Sequence, residues 1–348
     1  MAEVIGENID RIATIEIRSK TPPRGIIHRL YESARKKSGQ PLTLTAAREI
    51  ISALKENDHV FFVTGAGAWP VLLKGETDGP LGAASLARAI DLGIGAKPIF
   101  LSDEHNLGPI IASCEAAGIT IKGVDDGTFK ARPHSGMVFP FPLDPKKTLD
   151  VAKELLDAYQ PKAVISIERL GPNEKGFFHT VRGFRRTDCA PLNLLVEEAR
   201  NRKILTIGIG DNGNEIGCGL IHDDVKEIQT WGKLCQCPCK SGMATVSKTD
   251  YLIIASVSNW GAYGVSACMA YLLEDLDIMH SEYIEKRMLE ECVSAGGTDG
   301  ELGIQIPSVD GISLEVQQSV VVMMREVVKR GLKGLKKEVT YPQMEEKG

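Results

Sequence analysis

What this chain lacks narrows its function first. No apolar run reaches membrane-spanning length, and the most apolar stretch near the end, 320–324, is short and flanked by charge. The opening residues, Met1-Ala2-Glu3-Val4-Ile5-Gly6-Glu7-Asn8, have neither the basic start and apolar core of a signal peptide nor the Arg- and Ser-rich, acid-poor character of a transit segment. A cytoplasmic location and no membrane partner are therefore expected. Positive charge is not in excess. A net charge of -5 over 348 residues argues against a nucleic-acid partner, because a phosphate backbone requires a basic face. A small anionic substrate needs only a local cation and is not excluded.

Nucleotide and hydrolase signatures are missing too. An apolar strand pattern at 59–64 opens into Gly65-Ala66-Gly67-Ala68-Trp69-Pro70, where Pro70 stands in place of the third glycine of a dinucleotide fingerprint. No Gly-Lys-Ser/Thr follows at P-loop spacing, so neither NAD nor ATP is a reading of this loop. No nucleophile elbow or Ser-His-Asp order is evident. The 8 cysteines are expected to be reduced in a cytosolic chain, with Cys114 and Cys268 in the core. Cys235-Gln236-Cys237-Pro238-Cys239 is dense in thiols. A zinc site takes four ligands, usually from more widely spaced pairs. Three cysteines at this spacing read as a loop of reduced thiols. His134, alone in a Pro- and Gly-rich segment, reads as a surface residue.

What is present is ordinary for a protein with a real core: 43% apolar and 25% charged residues, long enough for one large or two ordinary domains. Apolar runs at 59–64, 97–101, 119–124, 162–167, 203–209 and 251–257 have the length of buried strands. Helical patterns at 81–92, 107–117, 148–159, 192–201 and 262–273 alternate with them. This alternation predicts an α/β fold with a mostly parallel sheet flanked by helices. Further helices are expected at 25–37, 45–55, 281–293 and 314–332. Residues 1–24 read as an N-terminal extension, 25–335 as the folded domain and 336–348 as a charged tail. The Pro-, Gly- and aromatic-rich stretch near 127–147 marks a candidate internal boundary, leaving room for a second, smaller lobe.

Polar, glycine-bearing loops recur where the apolar runs end. The densest lies in 208–219, Gly-Ile-Gly-Asp-Asn-Gly-Asn-Glu-Ile-Gly-Cys-Gly, where Asp211 and Glu215 supply hard oxygen ligands suited to Mg²⁺ or Mn²⁺. Glu168-Arg169 ends the run at 162–167. The pair could bind a metal and a substrate carboxylate, or form ion pairs with neighbours. Glu76-Thr77-Asp78-Gly79-Pro80 precedes a helix whose first N–H groups could hold an anion, unless Asp78 caps them. Gly65 and Gly67, Ser258 and Asn259, and Thr298-Asp299-Gly300 are similar loops. Arg182, Arg185 and Arg186 read as a solvated basic face. Strand ends of a parallel sheet converge on one edge, so these loops are expected to line a single crevice for metal-assisted or acid–base chemistry on a small molecule.

Residues 76–83 (Glu-Thr-Asp-Gly-Pro-Leu-Gly-Ala), 166–169 (Ser-Ile-Glu-Arg), 208–219 and 258–261 (Ser-Asn-Trp-Gly), in this order, resemble the D-glutamate cyclase family from about residue 25 to 330. Leu81, Asn212 and Cys218 depart from the family pattern, which has proline, glycine and methionine there. The resemblance implies a lyase that closes D-glutamate to 5-oxo-D-proline with loss of water, helped by Mg²⁺ or Mn²⁺. On this expectation Glu168, Asp211 and Glu215 are metal ligands, and Asp78 joins them as a catalytic residue that carries protons. Arg169 or the Gly79 N–H fixes the α-carboxylate, and Asn259 orients the substrate. Gly65, Gly67, Glu76, Thr77, Asn214, Ser258 and Asp299 complete the substrate-binding set. A homo-oligomer is expected. The same donors would also suit metal-dependent hydrolysis of a small phosphate ester, or a non-catalytic metabolite-binding protein.

Overall fold

The computed structural model describes residues 1–18, 23–122 and 133–336. Three helices, α1 (Ala2–Ala13), α2 (Ile26–Ser38) and α3 (Leu42–Ala53), precede the first strand, β1 (His59–Thr64). The chain then alternates through α4 (Pro80–Ile94), β2 (Lys97–Asp103), α5 (Leu107–Ala116), β3 (Thr120–Lys122), β4 (Ser135–Phe141), α6 (Pro145–Tyr159) and β5 (Ala163–Ile167). A two-stranded ribbon, β6 (Phe178–His179) and β7 (Arg185–Arg186), interrupts this rhythm before α7 (Asn193–Asn201), β8 (Leu205–Gly210), α8 (His222–Ile228), β9 (Tyr251–Ile254) and α9 (Ser258–Leu272). Helix α10 (Glu282–Ser294), a second ribbon of β10 (Ser308–Val309) and β11 (Ile312–Ser313), and α11 (Leu314–Lys336) complete the described chain.

Seven strands form one sheet in the order β3-β4-β2-β1-β5-β8-β9, and every pair is parallel. This is the α/β fold the alternation predicts. Strand faces explain the near-continuous apolar runs. Phe61 and Val63 of β1 join Ile99, Leu101 and Val164 in a core against α6 and α7. Val60, Phe62, Phe100, Ile165 and Ile167 point the other way into the larger core shared with α3, α4 and α9. Each such side chain, fully buried, contributes about 1.5–3 kcal/mol relative to exposure. Helix α9 is buried on almost every side, which its small residues Gly261, Gly264, Ala262 and Ala267 permit.

Two boundaries differ from expectation. Residues 1–13 are built into the domain, since Ile5, Ile9 and Ala13 of α1 lie in the larger core. The stretch near 127–147 contains a sheet strand, β4, seated between β2 and β3. Gly136 and Pro140 obscure it in the sequence, and the sheet tolerates Pro140 because that residue faces solvent. The strand read at 119–124 is described only to Lys122, and Asp125, Asp126 and the tail 337–348 lie outside the described residues.

From β1 the chain first adds β2 on one side and later β5 on the other, so the strand order reverses between β1 and β5. In open α/β sheets that reversal leaves a crevice beyond the strand carboxyl ends. The ends of β1, β5, β8 and β9 carry the loops bearing Asp78, Glu168, Asp211 and Ser258. Among the described residues, no helix is long and apolar enough to cross a membrane.

Candidate active site

Two helix N-termini meet at the reversal. Asp78 precedes α4 but caps α9: its carboxylate accepts from the backbone N–H of Ser258 (2.9 Å) and Asn259 (2.8 Å). Asn259 of α9 returns the arrangement, its Oδ1 accepting from the N–H of Gly79 (2.9 Å) and Gly82 (2.7 Å). Its Nδ2 also donates to the Thr77 carbonyl. The orphan donors of both helices are thus satisfied by each other's side chains. Gly79 makes this fit possible. Its φ is +101°, and a Cβ there would lie 2.8 Å from Thr64 Oγ1 and 3.1 Å from Glu168 Cβ.

The loop after β8 is folded by its own carboxylate. Glu215 accepts from the N–H groups of Asn212 (3.0 Å) and Gly213 (2.8 Å), which turns Asp211 back over the end of β5. Gly208 is required beneath it, because a Cβ there would meet the Ile216 carbonyl oxygen at 2.5 Å. Asn212 stands where the family has glycine, yet it is not among the positive-φ residues, so its side chain imposes no backbone strain. Its Nδ2 donates to Asp211. Glu168 does take a positive φ of 46°, rare for such a residue and costly enough to need support from its surroundings. Ser258 Oγ supplies some of it, donating to Glu168 Oε2 at 2.6 Å. Asp310 likewise has a φ of 53°.

These elements gather an excess of buried negative charge. Carboxylate oxygens of Glu168, Asp211 and Glu215 lie within 4.8 Å of one another, as do those of Asp78, Asp211 and Asp310. Arg18 is the cation among them. It pairs with Asp211 and Asp310 and lies 3.9 Å from Asp78. Burial and mutual repulsion raise the carboxyl pKa values. Asp211 is pushed up to about 8 by burial, with Glu215 adding to the rise and Arg18 opposing it. Asp310 reaches about 6 by burial, against Arg18 and with Asp211. Burial also holds Glu76, Asp78 and Glu168 well above the carboxylate range, reinforced by their acidic neighbours. Burial alone would lower the Arg18 pKa, but Asp211, Asp310, Asp78 and Glu168 outweigh it and keep the guanidinium charged.

Beside the cluster lies a cavity of about 310 Å³, at the small end for ligand pockets. Its acidic wall includes Glu76, Glu168, Asp211 and Asp310, and Gly67, Asn212, Asn214 and Gly300 also line it. Arg18, Arg182 and Arg186 provide positive charge, and Leu72, Val181 and Phe184 an apolar surface. Oxygen-only donors in such number fit a hard divalent cation. Asn212 Oδ1 and Asn214 Oδ1 are buried acceptors with no partner in the protein, which extends the same donor set. A larger depression of about 1180 Å³, lined by Lys36, His222 and Lys248 among others, is open and lies away from the strand ends.

The residues expected from sequence divide by what they touch. Glu76, Glu168, Asp211, Asn214 and Gly67 reach the cavity. Glu215 stands behind it as loop former and third carboxylate. Asp78, Gly79, Ser258 and Asn259 interlock the two helices, so the Gly79 N–H already has an acceptor. Thr77 donates to the Ser308 carbonyl, and Asp299 shapes the following loop by accepting from Glu301, Leu302 and Gly311 N–H groups. Arg169 is engaged elsewhere through both of its terminal nitrogens. Its guanidinium binds Asp103 bidentately and the carbonyls of Gly65 and Ala190, tying together the ends of β1, β2 and β5. The guanidinium at the carboxylates is instead Arg18, from the stretch read as an extension. No local pattern marks it, since its partners are 60 to nearly 300 residues away.

The basic cluster is likewise divided, with Arg182 and Arg186 on the cavity and Arg185 stacked 3.6 Å over the Phe177 ring. A relay of Ser85, His280 and Glu285 has the connectivity of a hydrolytic triad, with bonds of 2.8 and 3.1 Å. All three are fully buried, and Tyr263 also donates to Glu285, so the relay is a polar network of the core.

Fold and site together define an α/β protein with an acidic pocket at the strand ends. Residues 15–325 match the model of the D-glutamate cyclase-like, C-terminal family, and the chain belongs to that family. It is 30% identical over 125 residues to human mitochondrial D-glutamate cyclase. The match covers 35% of this chain and 19% of that much longer relative.

Proposed function

We propose that the protein is a carbon–oxygen lyase that closes D-glutamate to 5-oxo-D-proline and releases water, assisted by Mg²⁺ or Mn²⁺. The observation that carries this reading is the cavity in which Glu76, Glu168, Asp211 and Asp310 face Arg18 and Arg186. Glutamate brings one ammonium and two carboxylates, and the walls offer charge of both signs to match.

Ring closure forms a bond between the α-nitrogen and the carbon of the γ-carboxylate and breaks one of that carboxylate's carbon–oxygen bonds. Two protons leave nitrogen and depart on that oxygen as water. Glu168 and Asp211, with Glu215 behind them, are the residues that would hold the cation. Bound there, it would polarise the γ-carboxylate and offset charge developing on oxygen. Glu76 is the proton carrier in this scheme. Partly buried on the cavity wall and held above the usual carboxylate range by burial, Asp310 and Asp78, it can take a proton from the ammonium and return one to the leaving oxygen. Arg18 and Arg186 line the cavity and Arg169 does not, which suits those two guanidinium groups to a substrate carboxylate. This assigns the α-carboxylate to those two residues rather than to Arg169 or Gly79, and leaves Asp78 a positioning role.

The test is incubation with D- or L-glutamate and Mn²⁺, with and without chelator, followed by chiral chromatography. Metal-dependent 5-oxo-D-proline is the expected product. Phosphate release from a simple phosphate ester without 5-oxoproline would replace the lyase reading with a phosphohydrolase. Thermal stabilisation by glutamate with no product would replace it with a binding protein.

A further inference from the structure

The thiol run that looked incomplete in the sequence gains a fourth member from the fold. His179, on β6, lies against Cys235, Cys237 and Cys239, and one ligand atom from each lies within 4.8 Å of all the others. The Cys235 sulfur is 3.5 Å from that of Cys237 and 3.2 Å from that of Cys239. His179 Nε2 is 3.3 Å from the Cys237 sulfur and 3.6 Å from the Cys239 sulfur. A tetrahedron with metal–sulfur bonds of about 2.3 Å and a metal–nitrogen bond of about 2.0 Å has edges of roughly 3.5–3.8 Å. The four atoms therefore already outline a tetrahedral site.

The surroundings are those of a ligand set. His179 Nδ1 faces the Phe177 carbonyl at 3.1 Å, which fixes the tautomer that turns the Nε2 lone pair toward the sulfurs. The Cys239 N–H points at the Cys237 sulfur (3.4 Å) and Asn173 Nδ2 at the Cys239 sulfur (3.6 Å), contacts that stabilise thiolates. A disulfide is a poorer account. The closest sulfurs are 3.2 Å apart, far beyond a bond of about 2.05 Å, and three thiols cannot pair off.

We propose that His179, Cys235, Cys237 and Cys239 bind a structural Zn²⁺ that pins the β6–β7 ribbon as one wall of the pocket. The ribbon has two residues per strand, too few to hold its place unaided. It nevertheless carries Thr180, Val181, Arg182, Phe184 and Arg186 along the cavity. The metal would close the loop from His179 to Cys239, a separation of 60 residues. The His179 carbonyl also accepts from Asn214 Nδ2 at 2.9 Å, joining this site to the turn that carries Asp211 and Glu215. Four protein ligands leave no open position, so the zinc is structural and takes no part in the chemistry. Its thiolates distinguish it from any Mg²⁺ or Mn²⁺ held by the carboxylates.

Metal analysis decides the matter without reference to turnover, so its outcome is independent of the lyase reading. The full chain, purified without an affinity tag or chelator and dialysed, is expected to carry about one zinc per molecule. Titration of its thiols with a mercurial should release that zinc in step with loss of three free sulfurs. His179→Gln and Cys237→Ser should each lower zinc content at least about tenfold and the thermal midpoint by roughly 5 °C or more. Cobalt bound in place of zinc should show the intense visible bands of a tetrahedral thiolate site. Wild-type protein that is zinc-free after growth in zinc-replete medium, or whose three thiols titrate with no metal released, would overturn the proposal even if the variants fail to fold. Iron or copper at one equivalent would overturn the assignment to zinc.

Discussion

The two ligand clusters of this molecule are built on opposite principles. The carboxylate group at the strand ends is hard, crowded and buried, so burial, with repulsion between its members, drives its pKa values upward against Arg18. The thiol–imidazole group beside the β6–β7 ribbon is soft and near tetrahedral, with Lys175 and Arg185 as cationic neighbours. Crowded, like-charged groups suit the cation and substrate of the proposed lyase, whereas a closed set of four ligands suits a structural role. The first is assembled by the reversal of the sheet, the second by a loop folding back on a ribbon. Asn214 and His179 join them.

The comparison can be broken by substitution, and the largest effect belongs to the acidic cluster. Asp211→Asn should lower 5-oxoproline formation by about 10²–10⁴-fold while the circular dichroism spectrum stays native. Unchanged turnover would remove Asp211 from the chemistry. Arg169→Ala should act on stability instead, lowering it by about 3–5 kcal/mol in denaturant titration because Asp103 is left buried and unpaired. A native-like midpoint in that variant would show that the bidentate pair does not hold the strand ends together.

A subtler effect follows from protonation. Asp310 and Asp211 have native pKa values of about 6 and 8, raised above their unfolded values by burial and by acidic neighbours, against the opposing effect of Arg18. The native state therefore binds these protons more tightly than the unfolded state. Their contribution to stability is complete below the ordinary carboxylate range and is lost as pH rises through about 6 and then 8. Glu174, lowered to about 2 by Lys226 and His222, opposes this trend only in acid. The thermal midpoint of chelator-treated protein should fall from pH 5 to pH 8.5, and Mn²⁺ should restore it more at the higher pH. A midpoint flat across that range would mean the carboxylates are not coupled as their positions indicate. The smallest effect is expected for Asn212→Gly, which restores the family residue. Asn212 has no positive φ to relieve, so stability should change by less than about 1 kcal/mol.

Much of this was legible without coordinates. Period and length exposed the strands at 59–64, 162–167 and 203–209 because both their faces are buried, and burial demands unbroken apolar runs. The convergence of Glu76, Glu168 and Asp211 followed from parallel strands sharing one C-terminal edge. Helix α1 is not evident in the sequence, although Ile5, Ile9 and Ala13 carry helical spacing, because polar neighbours dilute the pattern. Strand β4 was hidden by its own glycine and proline.

By itself the sequence determined the sheet, the edge on which the carboxylates gather and the oxygen donors of the 208–219 loop, since these depend on local periodicity and residue type. Only the tertiary structure decided which arginine meets the carboxylates, that Asp78 caps a helix 180 residues away, and that three cysteines acquire a histidine. Those outcomes depend on contacts between distant segments, whose pairing is set by packing of the whole domain, and no local window of residues encodes them.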